Sequence, residues 1–463
     1  MQRFYCIIKL ILIEKDYMVL SANRVTMKKE NNNFIAISKY VKIILILACC
    51  SAFYGINTIL NYVITTVWML MALYLIKKDD FWTLFIPLAI FENTIFFYFT
   101  QYTVFKILLL VAVVKILLFS EGKIRLILNR QFIVFVLVFL YAILSLINVL
   151  PSTISLIICL LTIFMFCYSS YKMQDYSFFN RAMFGFVIFS VAAGVYGMIH
   201  GNTLVVQQNG IEMMRFCGTS SDPNIMGYKF ILGLTALLFT DMINNKVIKV
   251  VLATFLLIMI FRTGSTTAII GIGMVIALWV ILQRKSFKNS IILIISATLF
   301  VIFLLNVENI LMFLASREVI FIEWERLLNQ YYDLIGGDIS SATSLRTDVW
   351  AGYMNYYWNE QNIFYQLFGG NISNIYGIEK DFAKMSWVAA AHNTFIDILM
   401  SVGVVGLIIL LGVFVIGLKN DFVKYVRTRD SLSAMKIAIK IITLFYMFAL
   451  SLFLSYGFMI FLI

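Results

Sequence analysis

Charged residues are scarce in this chain of 463 residues: they make up 13% of it, whereas 62% of the residues are hydrophobic. Soluble domains carry about 25% charged residues, so this composition excludes a soluble globular protein. Apolar runs of roughly 18–22 residues recur along the length, and each is long enough to cross the hydrocarbon core of a bilayer as a helix. We therefore predict an all-α polytopic membrane protein.

Cysteine, proline and histidine are also rare, and each rarity narrows the possible chemistry. The six cysteines show no spacing typical of a metal site, so we interpret them as small hydrophobic residues. Proline occurs only three times, and no inverted pair of interrupted helices typical of secondary transporters is recognisable. The two histidines are His200 and His392. Any histidine chemistry must use one of these two side chains.

The apolar runs predict about 12–14 transmembrane helices, with thirteen as the central count. They divide the chain into a cytoplasmic segment 1–40 (Met27 offers a second plausible start), spans 1–11 in 41–307, a large loop 308–392 and C-terminal spans in 393–463. The predicted spans lie near 41–57, 58–76, 81–99, 102–119, 131–149, 152–170, 182–200, 225–243, 247–261, 264–282, 290–307, 393–417 and 437–461.

The net charge of +12 does not indicate nucleic-acid binding, because the basic residues are distributed as in a membrane protein. Lysines and arginines collect in every second connection, for example around 77–78, 123–130 and 284–288. This positive-inside asymmetry predicts a cytoplasmic N-terminus and places loops 200–224 and 308–392 outside. Loops longer than about 15 residues are usually functional or disordered, and loop 308–392 is too rich in aromatic residues for disorder. We expect helices in it near 308–334 and 344–367.

Three arginines lie on the predicted outer side, where basic residues are few. Arg215 lies in "RFCGTSSDPNIMGYKF", Arg262 in "FRTGSTTA" and Arg346 in "SLRTDVWAGY". A guanidinium at a membrane interface needs an anionic partner, and its planar fork fits phosphate oxygens. Simpler interpretations remain open: an ion pair of Arg215 with Glu212, a snorkelling Arg262, and a solvated salt bridge of Arg346.

Several other residues complete the candidate site. His392 begins a span in "AAHNTFIDILMSVGVVGL", and a neutral histidine is the readiest general base for a hydroxyl nucleophile, although a structural role is the alternative. Together with the arginines, such a base suits a lipid-linked pyrophosphate donor. The residues that shape the site or contact sugars are predicted to be Asp222, Asn224, Trp350, Tyr353 and Asn393.

The order and spacing of these motifs, followed by "LFGGN" at 367–371, resemble the O-antigen ligase/polymerase superfamily over roughly 180–415. The histidine-asparagine pair with Gly403 and Gly406 downstream is the most specific of them. The resemblance implies a GT-C type fold with one large extracytoplasmic loop, in the bacterial cytoplasmic membrane. It also implies metal-independent glycosyl transfer with no cofactor.

For individual residues, the resemblance implies that Arg215, Arg262 and Arg346 bind the pyrophosphate of an undecaprenyl-pyrophosphate-linked glycan. It implies that His392 deprotonates the acceptor hydroxyl, and that Asp222 and Asn224 shape the mouth of the site. Expected partners are these lipid-linked glycans, the bilayer, a chain-length regulator and a flippase.

Four functions are weighed against the sequence. The leading hypothesis is a polymerase for O-antigen or capsular polysaccharide. A ligase would use nearly the same chemistry but transfer the glycan to a lipid A core or another envelope acceptor. A flippase for lipid-linked oligosaccharides is the alternative from another class, supported by Glu92, Lys115 and Lys229 inside predicted spans, since intramembrane charges often mark a transport path. A non-catalytic scaffold is the last option.

Overall fold

The computed structural model describes a helical protein. The described residues are 40–77, 81–96, 103–108, 110–111, 176–208, 211–240, 242–243, 245–282, 306–316, 324–339, 343, 346–369 and 391–452. The chain divides into two compact units, residues 1–47 and 48–463. The described part of the first unit, 40–47, is helical. The site lies in the second unit.

The described elements are thirteen named helices, one 3₁₀ turn and one β-hairpin. In chain order they are α1 (Tyr40–Ala52), α2 (Thr58–Lys77), α3 (Phe81–Leu88) with a 3₁₀ turn (Ala89–Phe91), α4 (Tyr176–His200), β1 (Thr203–Gln208), β2 (Ile211–Phe216), α5 (Pro223–Phe239), α6 (Lys246–Arg262), α7 (Thr266–Leu282), α8 (Val307–Ser316), α9 (Trp324–Ile335), α10 (Arg346–Asn359), α11 (Ile363–Phe368), α12 (Thr394–Thr428) and α13 (Ser431–Met447).

Helix α5 lies at the centre of the bundle. It packs against α4, α6, α7 and α13, and nearly its whole length is buried. A helix that is apolar on every side is expected in such a position. Asp222 begins α5 as its N-cap, accepting a hydrogen bond from the Asn224 backbone N–H at 2.7 Å, and Pro223 follows in the first turn. Aspartate at the N-cap and proline in the first turn are both typical of a helix start.

Among the described helices, three are long and apolar enough to cross a membrane: Thr58–Leu75, Phe178–His200 and Gly403–Thr428. Shorter apolar helices are Tyr40–Ala52, Pro223–Phe239 and Thr266–Leu282. These helices agree with an all-α membrane protein. The predicted spans 131–149 and 152–170, and most of 102–119 and 290–307, lie outside the described residues.

Two predicted spans are wrong in their extent. The run 81–99 is helical only to Leu88, with the 3₁₀ turn after it, because the carbonyl of Ile90 and the carboxylate of Glu92 bind side chains of other elements. The run 437–461 is helical from Ser431 to Met447 and then leaves the helix. Its next carbonyl groups, from Ala449 and Leu450, accept hydrogen bonds from distant side chains.

The two loops also differ from the prediction. Loop 200–224 contains the antiparallel hairpin β1–β2, in which Thr203 pairs with Phe216, so the chain is not purely α-helical. The helix predicted over 344–367 is split into α10 and α11, because Asn362 caps α11 by accepting a hydrogen bond from the Tyr365 N–H. In place of one helix over 308–334, the structure has α8 and α9, and residues 317–323 between them lie outside the described residues.

Candidate active site

Chain connectivity brings the predicted site residues to one end of the bundle. The C-terminal ends of α4, α6 and α13 lie there with the N-terminal ends of α5, α7 and α12 and with the hairpin. Helix α10 joins them through Arg346 and Trp350. The site is therefore built from segments that lie far apart in the sequence.

Arg215 and Arg262 form a crossed pair. Nε of Arg215, on β2, donates to the carbonyl of Thr263 at 3.0 Å, and its Nη2 donates to Asn224 Oδ1 at 2.9 Å. The guanidinium of Arg262 lies over the ring of Phe216, 5.1 Å from its centroid. Each arginine thus contacts the residue that follows the other. Two guanidinium groups held this closely favour an anionic ligand such as a phosphate.

Phe216 is supported from behind by α4. A Cβ atom built at Gly197 would lie 2.5 Å from Cζ of Phe216 and 2.7 Å from Cα of Gly218. Only a glycine at 197 permits this close approach, and any side chain there would push the hairpin away. The Nδ2 of Asn202 also donates to the carbonyl of Gly218 at 2.7 Å. The arginine pair therefore rests on a closely packed support.

His392 lies between two fixed points of the backbone. On one side, Trp350 Nε1 donates to the carbonyl of Ala391 at 2.8 Å. On the other, the Thr394 hydroxyl donates to the carbonyl of Leu450 at 2.5 Å and accepts from the Leu452 N–H at 3.0 Å. Asn393 caps α12, accepting from the backbone N–H groups of the next turn. These contacts leave the histidine backbone little freedom to move.

The backbone of His392 is also strained. Its φ is +49°, in the left-handed region that non-glycine residues seldom adopt. Such conformations cost of order 1–3 kcal/mol, persist only where the surroundings impose them, and cluster at functional sites. Here the conformation is held by the hydrogen bonds to Ala391 and Thr394 on either side of the residue.

Two charges act on the His392 imidazole. Burial lowers its pKa from the ordinary value of 6.5, the positive charge of Arg346 lowers it further, and the negative charge of Asp222 opposes both. The hydrogen bonds from Trp350 to Ala391 and from Arg346 to Ala449 bring α10 to the start of α12, beside the histidine. A lowered pKa keeps the imidazole neutral near pH 7, the form that accepts a proton.

Arg346 is fixed by the segment after α13, since its Nη1 donates to the carbonyl of Ala449 at 2.9 Å. Trp350, one turn later on α10, is partly buried. Tyr353 is 3% exposed and packs with Val349 and Tyr357 against the first turns of α12. Tyr353 therefore shapes the site by holding α10 on α12. Its buried ring has no exposed face for a sugar.

Sequence reasoning did not identify two parts of the site. They are the backbone carbonyl of Thr263 and the segment 449–452, which hold Arg215, Arg346 and Thr394 in place. Backbone acceptors carry no sequence signal, so only the fold reveals them. Among the described residues, no group of three or more His, Cys, Asp or Glu side chains is placed to hold a metal ion. Metal independence stays a prediction.

The model of one protein family, O-antigen ligase, matches residues 251–411. This O-antigen ligase-like domain covers about a third of the chain. This finding confirms the predicted membership of the O-antigen ligase/polymerase superfamily. The domain includes Arg262, Arg346, Trp350, Tyr353, His392 and Asn393.

Arg215, Asp222 and Asn224 precede the matched O-antigen ligase region, and the fold brings them to it through Thr263 and His392. No curated protein and no solved structure matches the chain. The apolar helices and the match to the O-antigen ligase family together support a membrane protein of O-antigen or polysaccharide biosynthesis.

Proposed function

We propose that the protein is a polysaccharide polymerase that joins undecaprenyl-pyrophosphate-linked repeat units of O-antigen or capsule. The observation that carries the proposal is the placement of Arg346 beside the start of α12, where His392 lies, at the end of the bundle that also holds Arg215 and Arg262. The site would face the outside of the cytoplasmic membrane, because lysines and arginines are concentrated in the alternate connections.

In the proposed reaction, the growing chain is the donor and a new lipid-linked repeat unit is the acceptor. The acceptor hydroxyl oxygen attacks the anomeric carbon of the donor, and its proton passes to the His392 imidazole. The bond between the anomeric carbon and the pyrophosphate oxygen breaks, and undecaprenyl pyrophosphate leaves with the electron pair. Arg215, Arg262 and Arg346 stabilise the charge that develops on the leaving group, in a GT-C type site that uses no metal ion.

The second candidate is an O-antigen ligase, which is favoured by the description of the matching family. Its donor and its base would be the same, and only the acceptor would differ. A lipid A core or another envelope molecule would take the place of the lipid-linked repeat unit.

The proposal can be tested by following polysaccharide ladders on a gel. A strain lacking the gene is complemented with wild type, His392→Ala, Arg215→Ala or the matched control His200→Gln, at equal membrane expression. We expect single repeat units on a normal acceptor for the first two variants, and full ladders for the control.

Two other outcomes would change the conclusion. Long chains that accumulate on the lipid carrier in the His392→Ala strain would identify a ligase. Full ladders with His392→Ala would show that the histidine is structural, and the proposed chemistry would fail.

A further inference from the structure

Helix α11 has an inverted distribution of polar and apolar side chains. Five of its six residues are apolar or aromatic, and all five are exposed. Their exposed fractions are 69% for Ile363, 57% for Phe364, 43% for Tyr365, 39% for Leu367 and 46% for Phe368. A helix on the surface of a soluble protein turns its apolar side inward.

The single polar residue of α11 points toward the protein. Gln366 Nε2 donates to the carbonyl groups of Tyr357 at 3.0 Å, Trp358 at 3.3 Å and Gln361 at 3.0 Å. The Tyr357 hydroxyl donates to the carbonyl of Gln366 in return. These bonds fold α11 back onto the end of α10 and fix its orientation. The outward position of the apolar side chains is therefore built into the structure.

The depth of α11 follows from its contact with α12. A Cβ atom built at Gly403 would lie 2.3 Å from the carbonyl oxygen of Leu367 and 2.5 Å from the backbone nitrogen of Phe368. Gly403 is also the first residue of the candidate membrane span Gly403–Thr428, and it lies within the apolar run predicted over 393–417. Helix α11 therefore lies against the outer part of this predicted span.

We propose that α11, together with Trp358, is a lipid anchor that lies in the interface between phospholipid headgroups and acyl chains. Aromatic residues are enriched at this depth, and exposed apolar helices gain binding energy there. Trp358 is 58% exposed beside α11 and extends its apolar surface. The anchor rests on the membrane character of the chain and is independent of the proposed reaction.

The anchor would have a consequence for the site. Gln366 joins α11 to α10, and Arg346 begins α10. The depth of α11 in the interface therefore sets the height of Arg346 above the hydrocarbon. A membrane-bound pyrophosphate would meet the guanidinium at the level of the lipid headgroups.

The test places the photoreactive amino acid p-benzoylphenylalanine at position 364 or 368 of the full-length protein. The variants are reconstituted in vesicles of phosphatidylethanolamine and phosphatidylglycerol, irradiated, and analysed for phospholipid adducts by mass spectrometry. Ile408, 64% exposed within the span, is the position for the lipid-facing control. Asn355, an exposed polar residue of α10, is the position for the control outside the membrane.

We expect phospholipid adducts at 364 and 368 at a yield comparable to position 408, and at least fivefold above position 355. Adducts at 408 but not at 364 or 368 would overturn the anchor. A cross-link from 364 to a second copy of the chain or to another protein would also overturn it, since the surface would then be a protein interface. Equal yields of phospholipid adducts at positions 355 and 364 would also overturn the anchor, because the lipid contact would then not be specific to α11.

Discussion

His392 combines three properties that its sequence position alone does not reveal. Its backbone is strained at φ +49°, its neighbours on both sides are fixed by hydrogen bonds, and two opposite charges act on its ring. The sequence identified the residue because histidine is so rare in this chain. It did not identify the electrostatic balance, because Arg346 and Asp222 reach the histidine only through the fold.

The balance of charges on His392 predicts a pH effect. The Asp222 carboxylate raises the pKa of the histidine, so removing that charge should lower the pKa. A general base is active when deprotonated, and the acid limb of the rate profile should therefore move to lower pH in Asp222→Asn. Asparagine also caps helices well, so α5 should stay intact. The measurement is the initial rate of glycan transfer in proteoliposomes between about pH 5 and pH 8.

Asp430→Asn is the matched control, since Asp430 is likewise an N-cap aspartate but begins α13, at the opposite end of the bundle from the site. Its acid limb should coincide with that of the wild type. If the acid limb of the rate profile stays in place or moves to higher pH in Asp222→Asn, the assignment of His392 as the base is contradicted.

At the scale of elements, α12 is kinked at Gly403, where φ is +68° and ψ is −176°. This region of backbone conformation is open essentially to glycine alone. The sequence pattern predicted a span over 393–417 and noted the glycine, and the structure has a long apolar helix here. It could not predict the close contact with α11, because the backbone of Leu367 lies 36 residues earlier in the chain and carries no signal of its position.

Gly403→Ala should lower the stability of the protein. The backbone strain alone costs of order 1–3 kcal/mol, and the new methyl group would collide with the Leu367 carbonyl. Gly412→Ala, in the same helix with no atom near the added Cβ, is the control and should stabilise by about 0.5–1 kcal/mol. Thermal unfolding of both variants in detergent measures the difference. Equal melting temperatures would disprove the close contact at Gly403.

At the scale of the whole molecule, an ion pair connects the segment after α3 to the central helix. Lys229 Nζ lies 3.4 Å from Glu92 Oε1, and both side chains are buried. Lys229 also donates to the carbonyl of Ile90, which accepts a second bond from the Thr219 hydroxyl. The sequence presented these charges as support for a flippase. In the structure they join two parts of the bundle, and Lys115 lies outside the described residues.

Replacing only one residue of the Glu92–Lys229 ion pair should destabilise the protein more than replacing both. Lys229→Met leaves a buried carboxylate without its cation, at a cost of about 3–5 kcal/mol. The double variant Glu92→Leu/Lys229→Met should regain most of that loss and retain polysaccharide ladders. Thermal unfolding and the ladder assay measure the two effects. A double variant that is stable but makes no polysaccharide would instead favour a transport path through these charges.

Features of the fold that depend on local sequence could be predicted, whereas features that depend on contacts with distant parts of the chain could not. Helix type and the superfamily followed from residue patterns. The end of α13 at Met447 and the short α3 did not, because groups just after these helices bind partners over 100 residues away. The hairpin, whose two strands pair locally over 203–216, was not predicted either.

The segment 449–452 has one further consequence. The carbonyl of Ala449 accepts a hydrogen bond from the Arg346 guanidinium, and the carbonyl of Leu450 accepts one from the Thr394 hydroxyl. The Leu452 N–H donates to that same hydroxyl. A transient local opening of these four residues would release the arginine and the start of α12 in a single event. Arg346 and the residues around His392 thus belong to one cooperative unit of exchange, and their protection from solvent deuterium should rise and fall together.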